Sequence, residues 1–154
     1  MQSKIVKLGR ILAIDYGQKR VGFAVTDELR ICANGLDTVH VSKAFDFLTQ
    51  YIASENVDII VVGEPKTMDF NDSASARFIE PFVNRLRKSF PNLKIDRFDE
   101  RFTSKMAFQT MIDAGLSKKQ RAEKGLVDKI SATIILQSYL QQLEIEAERN
   151  EFKN

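Results

Sequence analysis

The stretch Gly9-Arg-Ile-Leu-Ala-Ile-Asp-Tyr-Gly-Gln-Lys-Arg-Val-Gly-Phe-Ala-Val-Thr-Asp27 decides how the chain folds. Arg10 to Asp15 is a short apolar run that ends on a carboxylate. From Val21 to Asp27, small or polar residues alternate with apolar ones, and the Gly-containing segment Tyr16 to Arg20 lies between the two runs. Two strand patterns joined by such a loop read as a β-hairpin. A carboxylate closing an apolar strand is costly to bury without a partner, which makes Asp15 the first candidate functional residue.

Working outward, Leu36 to Val41 reads as a third strand and completes an antiparallel meander. Ser42 is placed to cap a helix whose apolar face is Ala44, Phe45, Leu48, Tyr51 and Ile52. Val57 to Gly63 is a continuous apolar run, the pattern of a parallel strand covered on both faces. After a loop from Glu64 to Asp72, Phe78, Phe82, Leu86 and Phe90 form one helical stripe. Pro81 interrupts it and predicts a kink or an irregular start, because proline lacks a backbone donor. Leu93 to Phe98 reads as the next strand. Thr103 then caps a helix carrying Ala107, Phe108, Met111 and Ile112, which Gly115 ends. Ser117 to Gly125 reads as a loop, and Leu126 to Leu143 as the last helix, with Ile130, Ile134, Ile135, Tyr139 and Leu140 on its broad apolar face. The order β-β-β-α-β-α-β-α-α predicts an α/β fold: a mixed sheet, with an antiparallel meander followed by parallel strands and helices on both faces.

A chain of 154 residues, 44% hydrophobic and 29% charged, fits one globular domain. Residues 1–143 are read as that domain and 144–154 as a charged tail. No apolar run approaches the roughly 20 residues of a membrane helix, so no membrane partner is expected. Met1 to Lys7 lacks the apolar core and small-residue cleavage site of a signal peptide. The single cysteine, Cys32, excludes an intrachain disulfide, suits a reducing compartment, and is read as a small buried hydrophobe. A cytoplasmic location is expected.

Net charge is only +2, but its distribution is uneven: the tail holds four acids against Arg149 and Lys153. Lys118, Lys119, Arg121, Lys124 and Lys129 crowd one short stretch, while Lys19 and Arg20 sit in the hairpin turn. Such local patches bind phosphates more effectively than the total charge suggests, although each also reads as a solvated surface. Gly17 permits a tight turn and a close approach of backbone to phosphate. Tyr16 could stack on a base or simply pack beside the turn. His40, alone in its strand, is read as structural.

Two further acids stand out. Glu100 lies just past a strand, in Phe98-Asp99-Glu100-Arg101, and Asp128 lies in the first turn of the last helix, followed by the small Ser131 and Ala132. Hard cations such as Mg²⁺ and Mn²⁺ take oxygen ligands. Two such ions can activate water and stabilise the leaving oxygen in phosphodiester cleavage. Each acid also has a plainer role: a turn cap for Asp15, a surface pair with Arg101 or Lys105 for Glu100, and a helix-dipole partner for Asp128.

The opening stretch closely resembles that of the YqgF (RuvX) family, whose members are described as Holliday junction resolvases or pre-16S rRNA nucleases. Three later segments resemble it in order: Ile60-Val-Val-Gly63 with Pro65, Met68 and Asp69; Asp99-Glu-Arg-Phe-Thr-Ser104; and Lys124-Gly-Leu-Val-Asp-Lys-Ile-Ser-Ala132 with Ile135 to Leu140. The resemblance implies an RNase H-like fold with metal-binding catalytic acids at Asp15, Glu100 and Asp128. It also implies two Mg²⁺ or Mn²⁺ ions and a nucleic-acid substrate, either structured RNA or branched DNA. Tyr16, Gly17, Lys19, Arg20, Arg101, Lys118, Lys119, Arg121 and Lys124 are the candidate nucleic-acid contacts. Glu64, Thr67 and Phe70 depart from the family pattern in the loop that faces substrate, so they bear on specificity and leave the acids intact.

The expected activity is metal-dependent hydrolysis of phosphodiester bonds in 5′-end maturation of pre-16S rRNA. Alternatives are resolution of DNA junctions, which needs two coordinated active sites and hence a homodimer, and a non-catalytic assembly factor. Actin-like ATPases and sugar kinases share an Asp-x-Gly hairpin, but they clasp a nucleotide between two such domains and this chain has room for one.

Overall fold

The computed structural model describes residues 8–64, 76–99, 115, 117, 119 and 124–152, with backbone alone at 64, 76, 77, 124–129 and 152. Three strands, β1 (Arg10–Tyr16), β2 (Arg20–Thr26) and β3 (Ala33–His40), form the expected meander. A single 3-10 turn (Val41–Lys43) leads into α1 (Ala44–Ser54), followed by β4 (Val57–Glu64), α2 (Ala76–Ser89), β5 (Lys94–Asp99) and α3 (Lys124–Phe152). The sheet order is β3-β2-β1-β4-β5. β1 pairs parallel with β4, and β4 with β5. The mixed sheet is the one the element order predicts.

Both faces of the sheet are covered. On one face Leu12, Ile14, Val21, Phe23, Ile60 and Val62 pack with Ala44 and Leu48 of α1 and with Ile79, Phe82, Val83 and Leu86 of α2. On the other, Ile11, Ala13, Ala24 and Val61 pack with Ala132, Ile135, Leu136 and Tyr139 of α3. β1 and β4 are therefore apolar at successive positions because each neighbouring position meets a different helix layer.

The start of β1 is fastened at several points. Asp27 accepts the backbone N–H groups of Cys32 and Ile31, which hold its carboxyl below the usual range. Arg30 adopts a left-handed φ of 57°. From there its guanidinium reaches the Gly9 carbonyl at 2.8 Å and the Asp58 carboxylate at 3.1 Å. Asp58 also accepts the Gly9 N–H, and the buried Thr26 hydroxyl accepts the Ile11 N–H. Such bonds answer the donors that an edge of buried sheet would otherwise leave unpaired.

Several local expectations change. Ser42 does not cap α1: the helix starts beyond the 3-10 turn, with Lys43 at its N-cap and no side-chain bond there. β3 starts earlier than its apolar residues suggest, because Ala33, Asn34 and Gly35 are drawn into the ladder with β2. The stripe on α2 is Ile79, Phe82, Val83 and Leu86, while Phe78 is exposed. The helix is continuous across Pro81. Lys124 and Gly125 are helical, and α3 runs on past Leu143 to Phe152. Cys32 is exposed, in a turn whose backbone is claimed by Asp27. The helix expected from Thr103 lies outside the described residues, although Gly115 does take a positive φ of 77°. Among the described residues no helix is long and apolar enough to cross a membrane.

Tyr139 ties α3 to the sheet by donating to Asp96 Oδ2 at 2.9 Å. Burial, followed by that carboxylate, pushes its phenol pKa upward. Burial also raises the phenols of Tyr16 and Tyr51. A phenol held neutral in the fold stays protonated where the unfolded chain has begun to ionise. Its stabilisation is then full below the ordinary tyrosine range near pH ~10 and is lost as pH rises from there toward the folded value. Denaturant melts should therefore show stability falling above pH ~10, with a shallower fall in Tyr139→Phe.

Candidate metal and nucleic-acid site

Side chains on a strand alternate between faces. Ile11 and Ala13 meet α3, so Asp15 lies on the α3 face, while Tyr16 falls on the opposite one. Asp15 is partly buried and has an interaction of its own. It pairs in register with Gly22 of β2, and Gly22 with Thr38 of β3. Gly22 and Ala24 give this face of β2 a floor of small residues, which permits a close approach by a helix.

α3 lies across β2, β3 and β1. Its later residues Gln137, Leu140, Gln141 and Glu144 share a groove with Ile31 to Asn34. Ala33 and Asn34 pair with Thr26 and Val25, and Val25 pairs with Leu12 near the start of β1. α3 therefore runs against β1, and its early turns lie toward the end of the sheet where Asp15 stands. Position 128 is about 14 Å from position 137 along the helix axis at 1.5 Å per residue. Leu12 to Asp15 covers about 10 Å of strand. Position 128 also falls one turn before Ala132 in the row Ala132, Ile135 and Tyr139, which packs on the sheet. Ser131 and Ala132 are buried, as the close approach requires.

Asp128 is not in the first turn, since α3 already includes Lys124 and has no acid among its first residues. The dipole effect falls off within that turn, so the plainer reading of Asp128 loses its support. β5 ends at Asp99, level with Glu64 of β4 and at the same sheet edge. Glu100 and Arg101, which follow it in sequence, lie outside the described residues, as do Lys118, Arg121 and the loop with Thr67 and Phe70. Lys124 is described by its backbone alone. Among the described residues no three acids, histidines or cysteines gather as a metal site; of the acidic trio only the Asp15 side chain belongs to that set.

The hairpin turn is built tightly. The Gly17 N–H donates to the Arg20 carbonyl at 2.9 Å, and the Val41 N–H to the Lys19 carbonyl at 2.9 Å. A Cβ on Gly17 would stand 2.5 Å from the Arg20 carbonyl oxygen. Lys19 is exposed, and Lys119 is also exposed. Tyr16 packs against Phe82 with ring centroids 4.6 Å apart and the rings tilted by 32°, and burial raises its phenol pKa; packing beside the turn occupies that ring. Arg20 pairs in register with His40. The His40 ring caps the 3-10 turn, its Nδ1 accepting the Ser42 N–H at 3.2 Å.

The model of a family described as "RuvX: Holliday junction resolvase" matches residues 9–142. A protein of Flavobacterium johnsoniae described as "Putative pre-16S rRNA nuclease" is 59% identical over 131 residues, 85% of this chain and 95% of the relative. A protein of Phocaeicola vulgatus with the same description is 56% identical over 134 residues, 87% of this chain and 96% of the relative.

Gly17→Ala should be destabilised by ~1–3 kcal/mol, the usual cost of forcing an extra methyl into a packed place. Here the obstacle is a backbone carbonyl rather than a flexible side chain. Urea denaturation checks the value, and a loss below about 0.5 kcal/mol would show that the turn relaxes freely.

Proposed function

This chain belongs to the RuvX family, and on that premise we propose that it is a metal-dependent nuclease in 5′-end maturation of pre-16S rRNA. The observation that carries the reading is the placement of Asp15. It stands next to the last residue of a buried strand, at the sheet edge that the early turns of α3 approach and on the face that α3 covers. Carboxylate oxygens at such an edge suit a hard divalent cation. Asp15, Glu100 and Asp128 would hold two Mg²⁺ or Mn²⁺ ions, which when bound supply an activated water and neutralise the leaving oxygen.

The rest of the work belongs to the chain itself. The turn that Gly17 keeps tight holds the exposed Lys19 where a phosphate would approach. Lys19 and Arg20, with Arg101, Lys118, Lys119, Arg121 and Lys124, supply positive charge along the strand being cut. The single cysteine and an rRNA substrate support a cytoplasmic location. The family's description as a resolvase favours a second reading, cleavage of branched DNA by a homodimer with two coordinated sites. Mass in solution, together with cleavage of pre-16S rRNA and of a four-way DNA junction, separates the two.

Asp15→Asn, Glu100→Gln and Asp128→Asn should each lower cleavage by at least ~100-fold, the order expected when a transition-state charge partner is removed. Without metal each variant should be as stable as the parent or slightly more so, because one member of a repelling carboxylate cluster is gone. Stabilisation by Mn²⁺ in thermal melts should shrink in parallel. EDTA should stop cleavage without unfolding the protein, and an active Asp128→Asn enzyme would break the trio.

Alanine at Lys19, Arg20, Lys118, Lys119, Arg121 and Lys124 together should weaken RNA binding broadly across sequences. The log–log salt slope should flatten by about 0.7–0.9 for each phosphate that is no longer neutralised. An unchanged slope would show these side chains to be ordinary solvated surface.

A further inference from the structure

The face of the sheet that carries Asp15 continues past it. Asp15, Gly22 and Thr38 share one level across β1, β2 and β3, and two residues further out Arg20 and His40 face each other on the same side. The opposite side at these positions is taken by Val21 and Val39, which pack toward the α1 and α2 layer. At strand spacings of about 4.8 Å and 3.3 Å per residue, His40 lies roughly 12 Å from Asp15, a few nucleotides along a bound strand.

His40 is exposed, and its ring is held through Nδ1 by the turn that follows it. The Ser42 backbone N–H can only donate, and it is directed at Nδ1 at 3.2 Å; the Ser42 hydroxyl lies 2.8 Å from the same atom. A neutral imidazole that accepts at Nδ1 carries its proton on Nε2. The cap therefore sets a second donor, Nε2–H, at the rim beside the Arg20 position. A guanidinium and an oriented ring N–H together suit a phosphate: one supplies charge and the other direction.

We propose that His40 is a substrate-binding residue whose Nε2–H donates to a backbone phosphate of the nucleic-acid strand leading to the Asp15 centre, next to Arg20. The proposal rests on the nuclease reading and extends its track across β3, to a residue whose local sequence suggests only structure. The His40 position is remote from Asp15, so loss of its donor raises KM and leaves kcat close to the parent value.

The test uses the full-length chain with a labelled RNA duplex and a labelled four-way DNA junction, measuring binding in EDTA and cleavage in Mn²⁺. His40→Asp keeps an acceptor for the Ser42 N–H, as aspartate does at a helix N-cap, but places a negative charge where the donor stood. His40→Asn keeps both an acceptor and a donor. The expected result is binding weakened by roughly tenfold or more in His40→Asp, as for a lost bond to a charged group. KM should rise by a similar factor with kcat near the parent value, and His40→Asn should retain most of the affinity. Melting temperature reports whether the cap survives. If His40→Asp melts early, affinity near the parent value in a stable His40→Asn supports the proposal, and equal loss in both overturns it. Parental affinity in His40→Asp overturns it while the nuclease reading stands. A parent that neither binds nor cuts either substrate overturns both.

Discussion

β1 is buried on both faces, and everything else in the molecule is arranged around that constraint. Four successive residues, Ile11 to Ile14, are fully buried. Alternation sends Leu12 and Ile14 toward α1 and α2, and Ile11 and Ala13 toward α3. Each of the larger side chains, Ile11, Leu12 and Ile14, stabilises the fold by about 1.5–3 kcal/mol. A slip of one residue would exchange the two faces. The same alternation that fixes the register assigns Asp15 to one face with no freedom left over. The candidate site inherits its position from the core.

The α3 layer is as specific as the strand beneath it. Small residues on this face, Ala13 and Ala24, pack with Ala132 of the helix, and the Tyr139 bond to Asp96 fastens its later turns. Helix and β1 run in opposite senses, so the early turns of α3 come to the sheet edge where the parallel strands end. The Asp15 carboxylate at that edge is partly buried, and withdrawing a charge from water costs stability.

At the rim the protein relies on backbone geometry. Gly17 and Arg20 close the turn, Val41 ties the turn to the end of β3, and the Ser42 N–H fixes the His40 ring. Lys19 and Arg20 are thereby held on a short, well-braced segment.

Much of this was legible in the sequence, and the exceptions have physical causes. The hairpin, the doubly buried β4, the mixed sheet and the position of Asp15 follow from apolar periodicity, because burial on one or two faces writes itself into alternation or its absence. The role of Glu100 and Asp128 as partners of Asp15 rests on the family resemblance, because periodicity does not say which acids converge. Local signals failed where another part of the chain outcompeted them: Cys32 is exposed because Asp27 holds its backbone in a turn, and Ser42 yields the cap to a 3-10 turn organised by His40. Strand composition also missed Ala33 to Gly35, which join β3 through pairing with β2. The sequence by itself determined which residues are apolar, acidic or basic and at what spacing, and so the elements and their faces. Only the tertiary structure decided that His40 stands beside Arg20 on the face of Asp15, and that α3 turns its early residues toward that edge. Both depend on register and direction between segments distant in sequence, set by the packing of the whole core.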